Sequence, residues 1–131
     1  MQGRWARRSS GTDALPSRDP VQRFADIVEN IDAILRSTAG MGREAFLADA
    51  DKYDATERRL SRNSEAAVKL GLLAERLAPG QPWAEIRGLG NWLRHDYPGI
   101  IRDRIWETVR DDLTGLRADC EQAIQELERG G

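Results

Sequence analysis

One cysteine and one histidine occur among the 131 residues. A lone Cys120 cannot close an internal disulfide, which fits a reducing cytoplasmic setting. With His95 it cannot assemble the nitrogen and sulfur donor set of a structural zinc site, so no metal and no cofactor are expected. Valine is scarce, with four residues in the whole chain, and no segment alternates polar and apolar residues as a strand would. No apolar run approaches the ~18–20 residues of a membrane span, and the opening residues lack the apolar core of a signal peptide. Arg87-Gly88-Leu89-Gly90 sits inside a helical pattern with no strand before it, which leaves a dinucleotide or phosphate-loop reading without support. Lysine is nearly missing too. Only Lys52 and Lys69 stand beside eighteen arginines. Arginine suits bidentate phosphate recognition, although a GC-rich coding bias produces the same excess.

The length suits one domain, and a chain of this size buries roughly two-thirds of its unfolded surface. Its 40% hydrophobic and 32% charged residues are ordinary for a soluble protein. The net charge of −2 divides unevenly. Residues 1–19 carry four arginines and two aspartates, and the remainder carries sixteen basic and twenty acidic residues. An acidic body argues against sequence-blind duplex binding but leaves room for a small RNA-reading cleft. Residues 1–19 mix Arg, Ser, Gly and Pro without apolar period and read as a flexible basic tail, ahead of a helical domain over 20–128. Trp5 among Arg4, Arg7 and Arg8 could stack on RNA, but such a tail is more often inert.

From Asp19 the pattern becomes helical. Asp19 can cap, Pro20 fits the first turn, and Val21, Phe24, Ile27, Val28, Ile31, Ile34 and Leu35 follow at steps of three and four. A short helix over Arg43–Ala48 turns Phe46 and Leu47 inward. A long one from Asp51 to Leu77 carries Ala55, Leu60, Ala66, Ala67, Leu70 and Leu73 inward and breaks at Pro79-Gly80-Gln81-Pro82. Another runs from Pro82 to Tyr97, and the last from Asp103 to Glu128, with a kink expected near Thr114-Gly115. The fold class expected is all-α: a compact antiparallel bundle of about five helices. Gly88 and Gly90 each cost about 1 kcal/mol in a helix interior, and close helix–helix approach is the preferred reason for them.

The chemistry concentrates at Arg87, Asn91, Arg94, His95, Asp96 and Tyr97. On a helix, 87, 91 and 95 are successive i, i+4 positions, and 94 lies about 20° around the axis from 87. Two guanidiniums, an amide and the only imidazole therefore share a polar face near a helix end, opposite Ile86, Leu89 and Leu93. Imidazole titrates near neutrality and suits general acid–base work. A lone histidine near a helix end is nevertheless more often a cap or surface residue, and Tyr97 before Pro98-Gly99 more often a core-edge aromatic.

The body of the chain resembles the HepT-like toxins of the HEPN superfamily. Phe46-Leu47-Ala48-Asp49, the helix from Ala55-Thr56-Glu57-Arg58-Arg59-Leu60 to Glu65-Ala66, the segment from Trp83-Ala84-Glu85-Ile86 through Asn91 to His95-Asp96-Tyr97, and Trp106-Glu107-Thr108-Val109 with Asp112-Leu113 occur in the family's order. The resemblance implies a cytoplasmic homodimer whose two motifs face one cleft. It implies a metal-independent endoribonuclease that is the toxin of a type VII toxin–antitoxin system, leaving a 2′,3′-cyclic phosphate. The implied partner is a minimal nucleotidyltransferase antitoxin able to adenylylate the motif tyrosine. Carried over residue by residue, His95 is the acid–base group, Asn91 the motif amide and Tyr97 the modification site. The family's arginine, five residues before the histidine, is Gly90 here. Arg94 or Arg87 would have to stabilise the phosphoryl charge, although Arg87 lies about 12 Å of helix rise from His95; Arg102 and Arg104 are further donors. The alternative is a catalytically degenerate interaction protein that keeps the dimer and the nucleotidyltransferase surface.

Overall fold

The computed structural model describes residues 18–95 and 100–130. Helix α1 (Arg18–Ser37) places Phe24, Ile27, Ile31 and Ile34 on one stripe, all fully buried. It ends because its last carbonyls find partners outside the helix. Thr38 Oγ1 and Ser37 Oγ donate to the Ile34 carbonyl at 2.8 and 3.1 Å, and Lys52 Nζ donates to the Ser37 carbonyl at 2.7 Å. Gly40, at φ +77°, then reverses the chain. Helix α2 (Arg43–Ala48) drops Phe46 into the core against the Tyr53 and Trp106 rings, with centroids 5.8 and 5.5 Å away.

Helix α3 (Ala50–Leu70) starts at Asp49, whose carboxylate accepts from the Lys52 N–H at 3.1 Å. It packs against α1 on one side and supports α5 on the other. The sequence pattern reads one helix through Leu77, but Gly71 adopts φ +58° and its N–H bonds back to the Ala67 and Val68 carbonyls. That left-handed residue starts a separate short helix, α4 (Leu72–Leu77). Within α3 the expected inward residues Leu60, Ala66, Ala67 and Leu70 are buried, but Ala55 is exposed and Thr56 takes its place in the core.

Helix α5 (Trp83–His95) is anchored by Trp83, which is 1% exposed, meets Phe24 edge-on at 6.3 Å and donates from Nε1 to the Ala78 carbonyl at 2.8 Å. Truncating such a ring to alanine costs about 3–5 kcal/mol. Helix α6 (Ile100–Glu107) begins three residues earlier than its periodicity suggests and is held to α2 by the Arg43–Asp103 ion pair. It passes through one π-helical turn (Thr108–Asp112) directly into α7 (Leu113–Gly130). The irregularity expected at Thr114-Gly115 therefore lies just upstream, as a widened turn. Helix α7 returns along α1, where Arg117 pairs with Asp32 at 2.5 Å. The architecture is all-α, with no strand among the described residues.

Candidate functional site

The C-terminal end of α5 carries Asn91, Arg94 and His95, all exposed. Arg94 Nη2 donates to Asn91 Oδ1 at 3.3 Å, so the amide and the guanidinium lie against each other one turn apart. His95 is the last described residue of the helix. Tyr97 and Asp96 lie outside the described residues.

One turn earlier, Gly90 is buried against α3. Its N–H donates to Ser64 Oγ at 3.1 Å, and the same hydroxyl donates to the Arg87 carbonyl at 2.7 Å. A Cβ at position 90 would sit 2.9 Å from Ser64 Oγ, closer than carbon and oxygen pack. Within the single chain, the close approach expected of the two glycines is made by Gly90. A Cβ at Gly88 would meet nothing within 4 Å. The same construction places Arg94 Nη1 3.7 Å from the position-90 Cβ. The Arg94 guanidinium therefore lies in van der Waals range of where a side chain at position 90 would begin.

Arg87 does not join this group. Its Nη1 and Nη2 grip the Glu75 carboxylate at 2.8 and 2.6 Å, while Nη2 also donates to the Gly71 carbonyl at 2.8 Å and Nε to the Ala67 carbonyl at 3.2 Å. These carbonyls lie at the end of α3, where each also accepts one backbone N–H, from Gly71 and Ala74 respectively, so Arg87 adds a second donor to both. The hydrogen bond from Arg87 holds the Glu75 carboxyl below the usual carboxylate range, and Glu75 in turn raises Arg87. The polar face that helical spacing lays out over 87, 91, 94 and 95 is thus divided. Its first member clamps α3, α4 and α5 together, and the other three face solvent. Arg102 and Arg104 are also engaged. Arg102 bonds the Leu47 carbonyl and lies 4.7 Å over the Tyr53 ring, and Arg104 pairs with Glu85 at 3.2 Å.

Sequence reasoning missed Ser64 and Glu75, the two residues that fix how α5 is seated. The signal for Ser64 was a polar residue in the inward stripe of α3, opposite a glycine on α5. Glu75 had none, because its position depends on the break at Gly71. Two concavities flank α5. One, of about 710 Å³, runs past Gly88, Trp92 and Ile100, and a smaller one opens beside Leu89; neither is lined by Asn91, Arg94 or His95. Among the described residues, no group of three or more His, Cys, Asp or Glu side chains could hold a metal ion, and no helix is long and apolar enough to cross a membrane.

Residues 27–123 match the family model described as "Ribonuclease HepT-like". Two proteins of Methanocaldococcus jannaschii with RNase in their names are each 30% identical over 115 residues, which is 87% of this chain and 94% and 98% of theirs. A protein of Thermococcus cleftensis named "Probable ribonuclease HepT" is 32% identical over 97 residues, 74% of this chain and 88% of its own. No solved structure matches significantly.

Proposed function

Because the chain belongs to the HepT-like ribonuclease family, we propose that it is the toxin of a HepT-type toxin–antitoxin pair and cleaves RNA without a metal, with Arg94 standing in for the arginine missing at position 90. The observation that carries this reading is the 3.7 Å between Arg94 Nη1 and the position-90 Cβ. A guanidinium thus stands beside the point from which the family's arginine would extend, reaching there from one turn further along the helix. His95 takes the proton of a ribose 2′-OH or returns one to the leaving 5′-oxygen. Arg94 meets the charge that builds on the phosphoryl oxygens, and Asn91 orients Arg94 through its amide oxygen. The attack by the neighbouring hydroxyl closes a 2′,3′-cyclic phosphate and expels the 5′-oxygen, which needs no outside reactant. Arg87 serves as a positioning residue, since its donors are held by α3 and α4.

Three further elements follow from the family. Among the described residues no wall faces the exposed end of α5, and a homodimer partner completes the cleft. Tyr97 is the site of adenylylation, and the enzyme that modifies it is a minimal nucleotidyltransferase antitoxin. Incubating purified protein with cellular RNA tests the catalytic part. Wild type is expected to leave cyclic phosphate ends, Arg94→Ala to lose about 10²–10³ in rate, and His95→Ala to lose cleavage. Equal cleavage by wild type and His95→Ala would remove the proposal. A monomer in light scattering would remove the shared cleft, and an unshifted intact mass after co-expression with a minimal nucleotidyltransferase of the antitoxin type would remove the modification of Tyr97. A degenerate, purely binding protein is the second reading. It is favoured by the packing of Gly90 on Ser64, against which any side chain at position 90 would crowd.

A further inference from the structure

Between α3, the first half of α5 and the π-helical turn lies a cavity of about 350 Å³, within the size range of small-molecule sites. Leu60, Ile86, Leu89, Leu113 and Leu116 form apolar walls. Asn63 also lines it. That residue is 2% exposed, and neither its amide oxygen nor its amide nitrogen has a hydrogen-bond partner. An unpaired buried polar group costs about 1–3 kcal/mol, and folded chains carry few of them. A leucine at this position would pack against the same walls without that cost, so the amide calls for an occupant.

The rim adds a second selection. Glu85, Asp111 and Asp112 line the cavity against one guanidinium, Arg104. Glu85 is paired with Arg104 and Asp111 with Arg110, while Asp112 makes no hydrogen bond or ion pair among the described residues. Burial, then the neighbouring Asp111 charge, pushes the Asp112 carboxyl above its usual range. Such a rim repels phosphate and accepts hydrogen bonds from amines.

We infer that this cavity binds an amino-bearing nucleobase, adenine or cytosine, by its N=C–NH₂ edge. Asn63 Nδ2 donates to the ring nitrogen, the Asp112 carboxylate, which can only accept, takes the exocyclic amine, and the leucine and isoleucine walls cover the ring faces. Uracil presents a carbonyl oxygen where the amine should be, and the acidic rim meets it unfavourably. The same rim favours a nucleoside, or a base held away from its phosphates, over a free nucleotide. The inference does not depend on RNA cleavage at His95.

Titration calorimetry on the full chain with adenosine, cytidine, uridine and adenosine monophosphate tests it. Adenosine and cytidine are expected to bind saturably, uridine at least tenfold more weakly than cytidine, and the monophosphate more weakly than adenosine. Asn63→Leu is expected to lose at least tenfold in nucleoside affinity while melting at the same or a higher temperature. Asp112→Asn, an exposed change that does not threaten folding, is expected to narrow the cytidine–uridine ratio. His95→Ala is expected to bind adenosine as wild type does, which separates this site from the end of α5. No saturable nucleoside binding, wild-type binding by Asn63→Leu, or tighter binding of the monophosphate than of adenosine would each overturn the assignment.

Discussion

Substituting arginine for Gly90 brings a Cβ to 2.9 Å from Ser64 Oγ. That hydroxyl has little freedom to retreat, because it donates to the Arg87 carbonyl at 2.7 Å and accepts from the residue-90 N–H at 3.1 Å. Either the hydroxyl swings away and loses about 1 kcal/mol of hydrogen bonding, or α3 and α5 spread and overpacking costs about 1–3 kcal/mol. Replacing a glycine in the helix interior returns about 1 kcal/mol. The net expectation is a destabilisation of about 1 kcal/mol, or a melting temperature lower by roughly 3–5 °C at this chain length. Ser64→Ala removes the offending oxygen and leaves the residue-64 Cβ at 3.4 Å, close to ordinary contact. In that background Gly90→Arg is expected to be neutral or stabilising, a coupling of about 1–2 kcal/mol in a double-mutant cycle. Thermal melts of the four proteins measure it, and additive losses would show that Ser64 is not what keeps position 90 as glycine. The same four proteins report on chemistry. With Arg94 already in the charge-stabilising role, restoring arginine at position 90 changes RNA cleavage by less than tenfold. A gain of about 10²–10³ in the double variant would instead mark the wild-type site as degenerate.

Three further expectations follow from the packing. Burial, then the Asp119 charge, pushes the Cys120 thiol up to about 12, so it should resist alkylation in the native state and react only on unfolding. With a folded pKa above the unfolded one, its contribution to stability is complete below about pH 8.5 and is lost as pH rises toward 12; Cys120→Ala should flatten that part of a stability–pH curve. The hydrogen bond from Arg117 holds the Asp32 carboxyl below its usual range, and this tie joins α1 to α7. Its stabilisation is present above the ordinary carboxylate pKa and lost as pH falls through the lowered one, so Asp32→Asn should melt lower than wild type at pH 7 and converge with it in acid. Arg87→Met takes the second donor from the Ala67 and Gly71 carbonyls and frees Glu75. A lower melting temperature and faster amide exchange over residues 71–75 are expected, and unchanged exchange there would deny Arg87 its clamping role.

The bundle was legible because its apolar residues recur at helical spacing, as in the Phe24, Ile27, Ile31 and Ile34 stripe of α1. Its interruptions were less legible. Gly71 reads as one more glycine in a helical run until its left-handed backbone is seen, and the widened turn at Thr108–Asp112 has no glycine or proline to announce it. The site divided in the same way. Helical spacing correctly brought Asn91, Arg94 and His95 to one exposed end. Arg87 was placed with them because periodicity records angle around an axis and not what the neighbouring helix offers. Glu75 and the Ala67 and Gly71 carbonyls, brought alongside by the break at Gly71, engage it instead. Asn63 could not be singled out from sequence, since a polar residue in a helix stripe discloses neither its burial nor its unpaired amide.

The π-helical turn between α6 and α7 holds one residue more than a regular helix would need to cover that stretch. Dropping a single residue there would tighten the turn to ordinary pitch and leave Ile105 upstream and Leu113 downstream in their core stations. The cost would fall on the outward bulge, where Asp111 and Asp112 project toward the rim of the neighbouring cavity. Descendants of this chain could therefore gain or shed one codon at that spot and keep the fold intact, with the change confined to what the cavity will admit.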